Sequence, residues 1–469
     1  MKVDRQQFVD TLPPEWPEDL TSRLCDRMSK ADMKVVVLDD DPTGTQTVHD
    51  VTVLTGWSEE ALARELLSTE TVVYVLTNTR AMPLTQAAAV NREIAANLRR
   101  ACRATGREFV VVSRSDSTLR GHYPGEVEAL IDGLEQAIDG VLIVPFFLEG
   151  GRYTAGDTHY VEEEGWLMPA AETPYAQDPV FGYSSSNLKA WVSEKTGGRI
   201  APDDVASISL DTIRCGGPEA VATELVALTD GRVCVVNAMS YCDLEVLVAG
   251  ILQAEATGAR FIYRTAASFV RVRGGIAARG LLTSSDLAMP GHGGGLIVVG
   301  SFVEKTTRQV EVARLQWPDM CFVEVTVARL LAECERHEEI DRAIGLVEGA
   351  LEDGRDAMVC TSRQLIAGPD RVTSLRIGQI VSRSLVSIVA GLSVRPRWMI
   401  AKGGITSSDI ATDALGVGQA RVWGQAIPGV PIWRLGSESH WPNLTYVVFP
   451  GNVGTDDAIA DMIRILRGW

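Results

Sequence analysis

The sequence predicts an α/β protein of two α/β domains with mainly parallel sheets, and three observations carry that prediction. Short β-branched runs recur along 469 residues, amphipathic helical stretches separate them, and one Pro- and Gly-rich break interrupts the series. Such alternation is the pattern of parallel sheets covered by helices. The length exceeds one ordinary core. A composition of 46% hydrophobic and 22% charged residues supplies apolar material for two cores and argues against disorder.

Residues 1–32 are polar, carry Pro13-Pro14, and read as an N-terminal extension. They lack the basic and apolar regions of a signal peptide. Strands are expected at 34–39, 71–76, 108–113, 140–145, 232–236, 260–263, 296–300, 356–360, 397–401 and 445–449. Helices are expected at 85–104, 125–137, 243–257, 306–316, 339–353, 373–391 and 455–467. Apolar stretches such as Val141–Leu148 are too short to cross a bilayer. Pro290, Gly291 and Gly293-Gly294-Gly295 punctuate the chain before a fresh strand, dividing it into 33–290 and 291–469.

A net charge of -17 repels nucleic acid and anionic membranes at long range, so neither is expected as a partner. A small anion stays admissible, because local Arg, Lys and N–H groups dominate within a Debye length of about 8 Å. The eight cysteines are scattered without a C-x-x-C, which suggests neither a zinc site nor a disulfide framework and points to a reducing cytoplasm.

Ligands of open α/β sheets bind at the carboxyl ends of strands. Four polar loops of the first half fall there. "LDDDPTGTQT" (38–47) carries Asp39, Asp40 and Asp41 directly after an apolar run; such a loop can aim a carboxylate at a hydroxyl proton, leaving others to solvent or a metal. "SRSDSTLRGHYPGE" (113–126) gathers Arg114, Asp116, Ser117, Thr118 and Arg120, a set that suits a polyhydroxy acid. "TNTR" (77–80) and "EGGRYTAGDTHY" (149–160) each add one arginine, Arg80 and Arg152. Each loop alone also reads as a capped turn with surface arginines; four together are harder to explain that way.

Three glycine turns mark the second half. Gly300-Ser301 precedes a helix beginning near Thr306, Lys402-Gly403-Gly404-Ile405-Thr406 precedes one capped by Thr406 or Ser407, and Gly451-Asn452 with Gly454 precedes the last helix. Helix N-termini after glycine offer free N–H groups and a positive dipole end to phosphate. Glu304 stands where a Walker A loop requires its second glycine, so this is not a P-loop. Three such turns in one domain suggest a nucleotide.

The ordered set "DDDPTGT", "RSDSTLRG", "GGRYT", "VGSFVEKTTRQ", "KGGITSSD" and "FPGNVG" resembles the four-carbon acid sugar kinase family over roughly residues 34 to 465. The resemblance implies a sugar-acid-binding domain (33–290), a nucleotide-binding domain (291–469) and an inter-domain active-site cleft. It implies ATP-dependent phosphorylation of a threonate-, erythronate- or oxo-tetronate-type acid, with Mg²⁺. Family motifs carry onto Asp40 and Asp41, onto Asp116 to Gly121, onto Gly151 and Arg152, onto Ser301, onto Gly403 to Thr406, and onto Gly451. On this reading Asp41 or Asp116 takes the hydroxyl proton, and Arg80, Arg114 or Arg152 holds the carboxylate. Asp40, Thr43, Ser117, Thr118, Arg120 and Gly151 complete the acid site. Ser301, Lys402, Gly403, Gly404, Ile405, Thr406, Gly451 and Asn452 hold ATP; the Mg²⁺ ligands and any homodimer are left open. Three motifs depart from the family pattern: Pro42-Thr43-Gly44-Thr45 follows the aspartates where many members have F-T-G-A, Ile405 replaces a glutamate, and Val303 replaces a second serine.

Two other readings remain. "VVVLDDDPT" also fits the D-x-D-x-T signature of haloacid-dehalogenase-type phosphatases, with Asp39 as nucleophile, Asp41 as acid/base, and Lys402 with Asp456-Asp457 as later partners. A non-catalytic sugar-acid sensor is the third, although no DNA-reading helix with a basic face is visible.

Overall fold

Valine-rich runs bury both faces when helices cover a parallel sheet, and that is what they do here. The computed structural model describes residues 2–31, 33–287, 293–363 and 371–468, with backbone alone for 371–375; Pro290 and Gly291 of the expected break lie outside them. The chain forms two units. One comprises Met1–Val48 and Gly56–Ala278, the other His49–Thr55 and Arg279–Trp469.

In the first unit seven strands run in the order Ala206–Ile208, Arg232–Val236, Gly140–Val144, Phe261–Thr265, Glu108–Arg114, Met33–Asp39, Val72–Leu76. Every adjacent pair is parallel. Met33–Asp39 is followed in sequence by a neighbour on one side, Val72–Leu76, and then by a neighbour on the other, Glu108–Arg114. The crevice outside the carboxyl ends of Met33–Asp39 and Glu108–Arg114 is therefore a topological switch point. The register sets Asp39 beside Arg114.

The second unit holds an eight-stranded sheet in the order Val51–Leu54, Gln419–Ile427, Val430–Leu435, Thr445–Phe449, Trp398–Lys402, Leu296–Val299, Ala357–Thr361, Cys321–Val325. The last five strands are parallel, and the first three add antiparallel pairing. Leu296–Val299 lies between Ala357–Thr361 and Trp398–Lys402, so the switch point falls beyond Val299 and Lys402. Its core includes Ile297, Val299, Trp398, Ile400, Val447 and Phe449, all nearly or fully buried.

All ten expected strands form within a residue or two of their predicted ends. The segments read as connections carry more regular structure than expected. The stretch 149–160 is part of an antiparallel hairpin, Arg152–Ala155 with Thr158–Glu163, extended by Trp166–Pro169 and Val3–Asp4. Additional helices include Thr21–Lys30, Glu59–Leu66, Leu188–Lys195 and Gly217–Val226. Thr406 and Ser407 do not cap their helix: it starts at Gly404, Gly403 is the N-cap at φ 122, and Ser407 Oγ donates to the carbonyls of Ala401 and Gly403.

Candidate functional site

The switch point of the first unit is built from side chains. Asp39 ends its strand and is only 1% exposed. Arg114, which ends the neighbouring strand, donates to Asp39 Oδ1 at 3.0 Å and lies 3.9 Å from Asp40 Oδ1. Arg80 donates to Asp40 and, at 3.2 Å, to Asp41 Oδ2, and lies 3.8 Å from Asp116 Oδ1. Asp116 in turn accepts from Arg120 Nε at 2.8 Å and from the Thr118 N–H and hydroxyl. Four carboxylates and three arginines thus interlock, which is how like charges persist together in a half-buried crevice.

Local turns fix these groups. Asp41 caps a short turn by accepting from Thr43 N–H at 2.8 Å and Thr43 Oγ1 at 2.6 Å, and Pro42 begins that turn. Gly44 closes over Asp39: a Cβ there would lie 2.0 Å from Asp39 Oδ2. Gly121, at φ 125, passes so near Ser115 and Arg264 that a Cβ would meet them at 2.7 and 2.9 Å.

Burial raises the Asp39 carboxyl to about 7, with Arg114 only partly opposing it. Burial would also raise Asp41, but Arg80, Arg114 and the Thr43 hydrogen bonds outweigh it and hold that carboxyl below its ordinary value. Asp116 is likewise held low, since Arg120 and Arg80 overcome its burial. Asp41 and Asp116 are therefore ionised acceptors at neutral pH and weak bases, suited to orienting a hydroxyl.

Arg152 differs from the other arginines. It donates to Gly150 O and, at 3.4 Å, to Tyr175 Oη, and it shares the Tyr175 ring face with Arg120. Among the described residues it has no carboxylate partner, and its buried Nε has no acceptor. Gly151 before it is left-handed, φ 69. Ser117 lies nearby through its carbonyl, which accepts from His159 Nε2 at 2.8 Å. That imidazole is fully buried, and burial lowers it to about 4, so it is neutral.

The switch point of the second unit is built from backbone. A Cβ on Gly300 would lie 2.1 Å from Thr406 Oγ1, one on Gly403 3.4 Å from Ser301 N, and one on Gly451 2.8 Å from Ser301 Oγ. Thr306 Oγ1 donates to Ser301 Oγ at 3.1 Å and to Gly451 O at 2.8 Å. The three glycine turns of the sequence therefore meet. Two expected donors are already engaged: Ser301 N–H donates to Lys402 O and Gly403 N–H to Phe449 O. The N–H groups left for an anion belong to the first turns of the helices Gly404–Asp409 and Glu304–Gln316. Lys402 is fully buried, with Nζ donating to Pro450 O at 2.6 Å, and burial depresses it to about 6. It braces two of the turns. Ile405 and Asn452 are exposed on the same turns.

Among the described residues no cluster of three or more His, Cys, Asp or Glu is arranged to hold a metal. Sequence reasoning missed Arg264, Glu126, Tyr175, Arg363 and Asp178, which lies 3.7 Å from Arg120 Nη1. Arg264 was findable as the lone charge in the apolar run "FIYRT" at a strand end; it donates to Ser113, Ser115 and Glu126. Arg363, which donates to Ser301 O at 2.7 Å, gives no signal before folding.

Two doubly wound units, each with a polar switch point, define a protein with one site of paired charges and one of glycine-shaped anion donors. The comparisons give that class a family. The model of a sugar-binding N-terminal domain matches residues 35–273, and that of a nucleotide-binding C-terminal domain matches 296–459. The chain belongs to the four-carbon acid sugar kinase family. It is 27% identical over 349 residues to a D-threonate kinase of Cupriavidus necator, covering 72% of this chain and 75% of that one. It is 29% identical over 245 residues to a D-erythronate kinase of Heliobacterium modesticaldum, covering 51% of this chain and 50% of that one. Its fold is similar to that of a Salmonella typhimurium protein provisionally described as a tRNA synthase, at TM-score 0.67 and 18% identity over 92% of this chain and 99% of the other. It is also similar to a Haemophilus influenzae protein of a family catalogued as a domain of unknown function, at TM-score 0.62 and 19% identity over 92% and 100%.

Proposed function

We propose that the chain is an ATP-dependent kinase that phosphorylates a hydroxyl of a four-carbon sugar acid of the threonate, erythronate or oxo-tetronate type. One observation carries this reading. Each family domain match coincides with a switch point of matching chemistry: carboxylates and arginines in the sugar-binding part, glycine-shaped helix N-termini in the nucleotide-binding part.

Arg152 holds the substrate carboxylate, because Arg80 and Arg114 are already engaged by aspartates. Asp41 orients the accepting hydroxyl and receives its proton; its side chain is 21% exposed against 13% for Asp116, and only one arginine touches it. Asp116 fixes Arg120 and Arg80. The first-turn N–H groups after Gly403 and Val303 receive the phosphates. Phosphoryl transfer asks mainly for positioning and charge neutralisation, and Mg²⁺ bound with ATP would supply the latter. The donor set at the glycine turns is hydroxyls and carbonyls rather than carboxylates, which suits an ion held chiefly by phosphates and water.

The phosphatase reading needs Asp39 as an open nucleophile. Asp39 is buried beneath Gly44 and paired with Arg114, so the geometry does not favour it. A coupled ADP assay with a panel of four-carbon acids tests the proposal. ADP formation that depends on the acid supports it; phosphate release from sugar phosphates without nucleotide overturns it.

A further inference from the structure

Arg120 and Arg152 reach the first site from different layers. Arg120 lies in the loop after the strand Glu108–Arg114 of the parallel sheet, and Arg152 opens the hairpin strand Arg152–Ala155. Their guanidinium groups converge on one side chain, that of Tyr175, with carbons 5.2 Å and 5.5 Å from its ring centroid. Tyr175 sits in the short turn Pro174–Gln177, which the fully buried Thr173 precedes and Asp178 ends. Its Oη accepts from Arg152 Nη2 at 3.4 Å.

Two cations gathered on one ring repel each other, so each needs something to hold it. Arg120 is held by carboxylates, Asp116 at 2.8 Å and Asp178 at 3.7 Å. Arg152 has no such partner among the described residues; its donations go to Gly150 O and Tyr175 Oη. An aromatic face attracts a guanidinium through its quadrupole and brings no net negative charge. The ring therefore fixes Arg152 without neutralising it, as a carboxylate would not. A neutral platform is what a cation reserved for a ligand's carboxylate requires.

Resting on the sugar-acid reading, we infer that Tyr175 is a positioning residue. Its ring registers the hairpin arginine against the sheet arginine and presents Arg152, still charged, to the substrate carboxylate.

Calorimetry of threonate and erythronate binding to the full chain tests this with Tyr175→Phe, Tyr175→Leu, Arg152→Ala, and the double variant that combines the last two. Tyr175→Leu removes the ring and should weaken the better-bound acid about tenfold, within the range of a partly desolvated cation–π contact, while ATP affinity holds. Tyr175→Phe keeps the ring, loses only the long Oη contact, and should stay within about twofold of wild type. A residue that acts through Arg152 adds nothing once Arg152 is gone, so the double variant should bind the acid no more weakly than Arg152→Ala. Equal losses in the Phe and Leu variants, unchanged acid affinity in Tyr175→Leu, additive losses in the double variant, or a wild-type chain that binds neither acid each overturn the assignment. The two proposals fail separately: the expected binding pattern without acid-dependent ADP formation removes the kinase reading and keeps the platform, whereas ADP formation with additive losses does the reverse.

Discussion

The two switch points solve the same problem of recognition with different materials. In the first unit the loops after Met33–Asp39 and Glu108–Arg114 supply charged side chains, each locked by another. In the second, the loops after Leu296–Val299 and Trp398–Lys402 supply shape, because missing Cβ atoms let three turns approach. A stereospecific acid needs directed side chains, whereas a phosphate is read well by backbone N–H groups. The difference predicts that the first site responds to changes of charge and the second to changes of volume.

The largest effect is expected at Asp41. Asp41→Asn should lower kcat about 10²- to 10⁴-fold with little change in the KM for ATP, and steady-state kinetics with both substrates varied checks it. A near-normal kcat would move the role to Asp116 and break the proposed division. At Arg152, Ala should raise the KM for the acid about 10- to 100-fold, since hydrogen bonds to charged groups contribute about 1.5–3 kcal/mol. Lys should restore only part, lacking the planar fork.

A volume change sharpens the other half of the comparison. Gly300→Ala forces a methyl towards Thr406 Oγ1, 2.1 Å away; overpacking of this kind costs about 1–3 kcal/mol. ATP affinity measured by calorimetry should fall about tenfold while affinity for the acid holds. Loss of acid affinity instead would mean that the two sites are not built independently.

The smallest effect concerns protons. Asp39 titrates near 7 in the folded chain against an ordinary 3.8, so the folded state holds a proton that the unfolded state has released across that interval. Stability contributed by Asp39 is therefore lost as pH rises from about 4 to 7. His159 acts in the opposite sense, being near 4 when folded against 6.5: its contribution grows as pH rises through that range. Denaturant unfolding of wild type and Asp39→Asn from pH 4 to 7 isolates the first term. The variant should lack a fall in stability equivalent to one proton at most, and identical slopes would show Asp39 ionised throughout.

Much of this was legible in the sequence, for identifiable reasons. Buried parallel strands must be apolar on both faces, so "KVVVLD" and "GVLIV" announced themselves. Loop chemistry at strand ends announced Asp41, Asp116 and the three glycine turns. The strand 51–54 did not, because its pairing with Gln419–Ile427 joins distant parts of the chain and leaves no local mark; the hairpin of Gln419–Ile427 with Val430–Leu435 is local and was passed over. Arg152 was one arginine among three until folding gave Arg80 and Arg114 their aspartates.

What the sequence determined by itself is the alternation of elements and the kinds of groups raised to each sheet's rim, since periodicity and turn chemistry are local properties of the chain. Only the tertiary structure decided which carboxylates are paired, which arginine of the first site has no carboxylate partner among the described residues, and that Gly300, Gly403 and Gly451 meet. Those are relations across tens to hundreds of residues, fixed by strand order and register rather than by any neighbour in sequence.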